Sequence, residues 1–114
     1  MKFMYLIYED REYGATLPKE QIQQAMKEYQ VFENDLKQTG HWVAGSMLDT
    51  KTTKTIQGQN GSATTKEGPF VKAKEQVGGF YVVEARDFNE AVKLAQRIPS
   101  AKWGAVEVKE LAPR

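Results

Sequence analysis

The sequence predicts an α+β fold, a ferredoxin-like βαββαβ sandwich with a β-hairpin inserted between its two halves. Three observations predict it. The runs Phe3–Tyr8 and Phe80–Ala85 are apolar on both alternating faces, as strands at the centre of a covered sheet are. Two further segments repeat apolar residues at steps of three and four, the pattern of a helix with one buried stripe. Between the halves, Gln59-Asn60-Gly61 separates two Thr-rich runs, and Asn-Gly is the dipeptide that a type I′ hairpin turn requires.

Each element follows in order. Phe3–Tyr8 is a central strand, and the polar stretch from Asp10 to Thr16, with Gly14, reads as a connection. Pro18 stands where a first helical turn begins, followed by Glu20, so a helix starts there. Its inner stripe is Ile22, Ala25, Met26, Tyr29, Phe32 and Leu36, while Lys27, Glu28, Glu33, Asp35 and Lys37 fall on the outer face. Gly40 is a left-handed cap. His41–Leu48 is a second strand, in which Gly45 marks a bulge or a close approach of backbones. The hairpin, Thr52–Gln57 and Ser62–Lys66, is expected to project from the sheet rim. Gly68-Pro69 breaks regular structure, and a charged loop runs on to Gln76 and closes at Gly78-Gly79. Phe80–Ala85 is the second central strand. Asp87 with Glu90 three residues on forms a capping box for a second helix, whose stripe is Phe88, Ala91, Val92, Ala95 and Ile98, and Pro99 stops it. Ala105–Lys109, with Val106 and Val108 alternating against Glu107 and Lys109, is an edge strand. In this topology both helices cover one sheet face, so the second apolar set, Met4, Leu6 and Tyr8, needs other cover. A second copy of the chain is the simplest cover, giving a homodimer.

Composition bounds the function. A chain of 114 residues and 12.9 kDa forms one domain over residues 1–114 with its own core. Sixteen Lys+Arg against fifteen Asp+Glu provide no basic stripe for nucleic acid. No apolar stretch is long enough to cross a membrane, and the N-terminus has no leader-like segment, which predicts a soluble, cytoplasmic protein. With no cysteine and one histidine, neither a disulfide scaffold nor a metal site is expected. Neither a Walker loop nor a dinucleotide fingerprint is present, and no cofactor is expected.

The run Glu67-Gly68-Pro69-Phe70-Val71-Lys72-Ala73-Lys74-Glu75-Gln76-Val77-Gly78-Gly79-Phe80-Tyr81 closely resembles the signature of the YCII-related family, in its DGPF-domain branch. The opening Met1–Tyr8, Gly40–Leu48, and Ile98-Pro99-Ser100-Ala101 running into Val106-Glu107-Val108 extend the resemblance over essentially the whole chain. The resemblance implies a dimeric α+β barrel of ferredoxin-like units. It also implies a family largely without assigned biochemistry, some of whose wider relatives carry a His/Asp pair in a cleft. DGPF proteins are often encoded near alternative sigma factors. Glu67 stands where the family's motif has Asp, one methylene shorter, which suits a looser anionic or capping role.

Candidate chemistry is sparse. Glu67 is a candidate acid/base because a carboxylate beside a cleft is lifted toward neutrality by burial, although an acid before a Gly-Pro turn is also plain loop chemistry. His41, the sole histidine, is a candidate proton carrier, and its place after the helix cap favours the plainer role of a C-terminal dipole contact. Lys74, with Lys66 and Lys72, could meet a ligand anion, with Glu67 and Glu75 offsetting the charge. Tyr5, Tyr8, Phe70, Phe80 and Tyr81 are candidates to line an aromatic pocket, most of them as core or dimer packing. Glu84 and Glu107, being in strands, need a partner or a cleft. Two functions are carried forward: a small-molecule-binding homodimer that could act as a cofactor-independent enzyme through a cleft carboxylate, and a non-catalytic regulatory module linked to transcription.

Overall fold

The computed structural model describes residues 1–113. In chain order its elements are β1 (Lys2–Glu9), α1 (Arg11–Ala15), α2 (Lys19–Gln38), β2 (Trp42–Met47), β3 (Lys54–Gln59), β4 (Ser62–Glu67), β5 (Gln76–Glu84), α3 (Phe88–Ala95) and β6 (Ala105–Glu110), with a 3-10 turn at Pro99–Lys102 before the last strand. The four long strands form one antiparallel sheet in the order β2-β5-β1-β6, and β3 pairs only with β4. The α+β sandwich with an inserted hairpin is therefore the observed fold, with the two doubly apolar strands, β1 and β5, at its centre.

Register explains the core. Phe3 pairs with Val83, and Tyr5 lies between Tyr81 and Val108, so these side chains share the face that α2 and α3 cover. Phe32 and Leu36 of α2 and Ala91 and Ala95 of α3 complete that core with Ile98. Truncating Phe32 to Ala would cost about 3–5 kcal/mol. The opposite face carries Met4, Leu6, Phe80 and Val82 in register and no layer of helices. The molecule is 18 Å deep in its thinnest direction, the depth of a sheet and one helix layer.

The hairpin turn has Asn60 at φ 51° and Gly61 at φ 79°, the left-handed pair that Asn-Gly supplies. None of the β4 residues is buried. With this arm the radius of gyration is 16.0 Å, against about 13 Å for a compact chain of similar length. Helix α2 ends at Gly40, φ 78°, where His41 N–H donates to the Leu36 carbonyl and Gly40 N–H to that of Lys37. This double bond set is the Schellman motif.

Three local expectations are corrected. The stretch after Asp10 is a helix, because the Asp10 carboxylate accepts from the Glu12 and Tyr13 N–H groups at 3.0 and 3.2 Å and so caps α1. Gly78 and Gly79 do not close a loop; they lie inside β5, where a Cβ on Gly79 would come within 3.2 Å of the Ser46 carbonyl oxygen. Glu33 is not an outer-face residue. It is half-buried one turn from Tyr29, on the inner stripe. Ile22 and Met26 belong to that stripe by spacing but overhang the sheet and remain 40% and 62% exposed.

Candidate functional site

The overhang creates a cavity of about 610 Å³ between α1, the first half of α2 and the joined ends of β1 and β5. Its walls are largely apolar, with Leu17, Ile22, Met26, Met47 and Trp103 among them. These residues are exposed or half-buried because they face a cleft rather than the sheet. At the floor stand Glu9, Arg11, Tyr29, Glu33 and Tyr81.

Those polar groups form two sets. In the first, Tyr29 is hydrogen-bonded to Ser100, which is fully buried, and the Ser100 hydroxyl donates to Glu9 Oε1 at 2.5 Å. Helix α2 supplies Tyr29, the 3-10 turn Ser100, and the last residue of β1 Glu9. A serine at that depth is stable only because both neighbours satisfy it. Burial pushes the Tyr29 phenol up to about 12, with the Ser100 hydroxyl acting in the opposite direction. In the second set, Tyr81 donates to Glu33 Oε1 at 2.7 Å. Burial, then the hydrogen bond to Glu33 and its charge, raise the Tyr81 phenol far above the ordinary tyrosine range.

Arg11 closes one end of the cavity. Its Nη2 donates to the carbonyl oxygens of Leu48 at 3.2 Å and Gly78 at 3.4 Å, and its Nε lies 3.8 Å from Glu9 Oε2. On the far side of Arg11 is a second, more polar cavity of about 510 Å³, lined by the acidic turn Glu9–Glu12 and by Lys72, Lys74 and Gln76.

The residues singled out from sequence are dispersed. Tyr81 lines the large cavity and Lys74 the small one. Tyr5 is wholly buried in the core, its hydroxyl donating to the Ala91 carbonyl at 2.6 Å. Phe70 is 68% exposed on the signature loop. Glu67 ends β4 with its side chain 82% exposed, paired with Lys54 at 3.3 Å on the hairpin stem, and it lines neither cavity. His41 lines neither cavity; its Nδ1 meets the Thr39 hydroxyl at 2.7 Å and its Nε2 faces Glu90 at 3.5 Å. Glu84 finds its partner within the chain, the amino group of Met1 at 3.1 Å. Among the described residues no group of three or more His, Cys, Asp or Glu could hold a metal ion.

Sequence reasoning read Tyr29 only as a packing residue of the helix stripe and missed Glu9, Arg11, Glu33, Ser100 and Trp103. Only Glu33 carried a readable signal: it stands four residues after Tyr29 and three before Leu36, both inner-stripe positions.

An antiparallel sheet with its helices on one face, an arm-like hairpin and a cleft under the overhanging helix define an α+β domain of ferredoxin-like type. The chain belongs to the YCII-related family, whose domain model matches residues 1–113. It is also similar to the uncharacterized protein R00369 of Rhizobium meliloti (strain 1021), 25% identical over 115 residues that cover 98% of this chain and 93% of the relative. No helix among the described residues is long and apolar enough to cross a membrane.

Proposed function

We propose that this protein is a homodimer that binds the apolar body of a small molecule in the large cavity and removes a proton from that molecule without a cofactor. The observation that carries the reading is the hydrogen-bonded chain Tyr29–Ser100–Glu9, which joins two half-buried residues of the cavity floor through a buried serine. With its phenol raised to about 12, Tyr29 is protonated at neutral pH and acts by handing a proton on. As an acidic C–H or O–H bond of the ligand breaks, the Tyr29 oxygen takes that proton. Tyr29 passes its own proton to Ser100, and Ser100 passes its own to Glu9, whose carboxylate becomes the carboxylic acid. The cleft carboxylate in this reading is Glu9, not Glu67, which lies out on the hairpin stem. Tyr81, held by Glu33, is a second hydroxyl on the same floor, and neither His41 nor Phe70 has a part. The sheet face that no helix covers, apolar along β1 and β5 and bordered by Glu107 and Lys109 of β6, supports the dimer and the α+β barrel that pairing would make, and the run Glu67–Tyr81 supports the DGPF branch.

The test is a thermal-shift screen against phenols, quinones, carboxylates and flavins, followed by solvent deuterium exchange into any ligand found. A ligand at 100 times its Kd adds about 2.7 kcal/mol of stability. Ser100→Ala should keep the thermal shift and lose the exchange. A blank screen, or exchange that survives Ser100→Ala, would sink the reading.

One observation favours a second function, a regulatory interaction module linked to transcription: Phe70 and Val71 are 68% and 65% exposed on the signature loop. A blank screen together with sigma-factor binding that Phe70→Ala abolishes would decide for it.

A further inference from the structure

We infer that the molecule taken by the large cavity carries an anionic group, a carboxylate or a phosphate, and that the small cavity is the subsite that holds it. This rests on the cleft reading above. The two cavities share Glu9 and Arg11, so they lie back to back across one ion pair. Arg11 is fixed in that wall by the carbonyl groups of Leu48 and Gly78. Gly78 leaves room for it, since a Cβ at that position would come within 3.0 Å of the guanidinium Nη2. Both hydrogen bonds use Nη2, and Nη1 makes none among the described residues. A guanidinium already oriented, with donors to spare, suits an oxyanion.

The opposite wall is organised as well. The Gln76 side-chain amide donates to the carbonyl groups of Val71 and Ala73, each at 2.8 Å, which ties the loop that carries Lys72 and Lys74. Neither lysine forms an ion pair or a side-chain hydrogen bond among the described residues. Of the three acids nearby, Asp10 is occupied in capping α1 and Glu9 in accepting from Ser100 beside Arg11, which leaves Glu12. The lining therefore holds three cations and three carboxylates; Arg11 is paired with Glu9, and Lys72 and Lys74 are the cations without a partner among the described residues. The ligand class is an amphipathic acid, with an apolar body in the large cavity and a charged head reaching past Arg11.

The experiment uses the full chain and follows tryptophan fluorescence, because Trp103 lines the large cavity. The probes are naphthyl alkanoic acids with one to four methylenes, the matching primary amides, and naphthylethyl phosphate. The acid or the phosphate should bind about ten-fold or more tightly than the amide at low salt, and the tighter of the two identifies the head group. Lys72→Ala/Lys74→Ala should remove that preference and leave amide affinity unchanged; Gln76→Ala, which only loosens the loop, should reduce it in part. Equal affinity for acids and amides, or a preference that survives the double substitution, overturns the subsite while the cleft reading stands. If no probe of either kind binds, the cleft reading fails and the subsite with it.

Discussion

The Tyr81 ring occupies the space that a side chain on Gly45 would need. A Cβ at Gly45 would lie 2.4 Å from Tyr81 Cδ1 and 3.0 Å from Trp42 Cη2, and the two residues are paired across β2 and β5. The absence of that one carbon lets the ring pack edge-on to both Phe32 and Trp42 while its hydroxyl reaches Glu33. Gly45→Ala should therefore destabilise the protein by about 1–3 kcal/mol, read from the denaturant midpoint. Tyr81→Leu in the same chain should recover part of that loss, and strict additivity of the two changes would contradict the steric account.

The tyrosines predict the alkaline limit. Burial raises Tyr5 and Tyr29 to about 12, and Tyr81 further still, from an ordinary value of 10.0. The unfolded chain releases these protons first, so the stability they represent is complete below pH 10 and is lost as pH rises from about 10 to 12. Denaturant midpoints measured between pH 8 and 12 should fall across that window. In Tyr29→Phe the fall should be shallower, and an unchanged slope would count against the assignment.

At the acid end the sign reverses. The Glu90 N–H and then Arg86 hold the Asp87 carboxyl below its ordinary range, and the Arg86 N–H and then the Arg86 charge do the same for Glu90. Their contribution is present above the ordinary carboxylate range and is lost as pH falls through the lowered values. Asp87→Ala should lower Tm at pH 7 and flatten its dependence on pH below about 5, as followed by circular dichroism. A Tm difference from wild type that stays constant down to pH 2 would contradict this.

The open sheet face predicts association. Leu6→Asp would set a carboxylate beside Phe80 and directly opposite Glu107, and in a dimer that charge would be buried against a like charge. Sedimentation should give a dimer mass for the wild type and a monomer mass for the variant, with the dimer Kd raised by about a hundred-fold or more. A wild type that sediments as a monomer at high concentration would refute the pairing.

Glu67 offers the converse test. It makes an exposed pair with Lys54 on the hairpin stem, so Glu67→Gln should change stability by less than about 0.5 kcal/mol. It should also leave ligand affinity in the large cavity untouched. A marked loss of affinity would return the carboxylate role to the signature loop.

The sequence by itself determined the elements, because their causes are local or periodic. Two-sided apolar runs made β1 and β5 central, Asn60-Gly61 turned the hairpin, Gly40 ended α2, and Asp87 with Glu90 began α3. Even α1 was written locally, in the Asp10 cap, though the cap was hidden in a stretch that reads as polar loop. Only the tertiary structure decided the site. Glu9 and Ser100 are 91 residues apart and Tyr29 and Ser100 are 71 apart, and no spacing rule connects a strand end, a helix face and a 3-10 turn. A signature motif draws the eye to Glu67, but the direction of a side chain at the end of an exposed hairpin follows no period. Where the sheet ends beneath α2 is set by how far the helix outreaches the strands it packs on, and that overhang is what turns Ile22 and Met26 from core residues into the wall of a cavity.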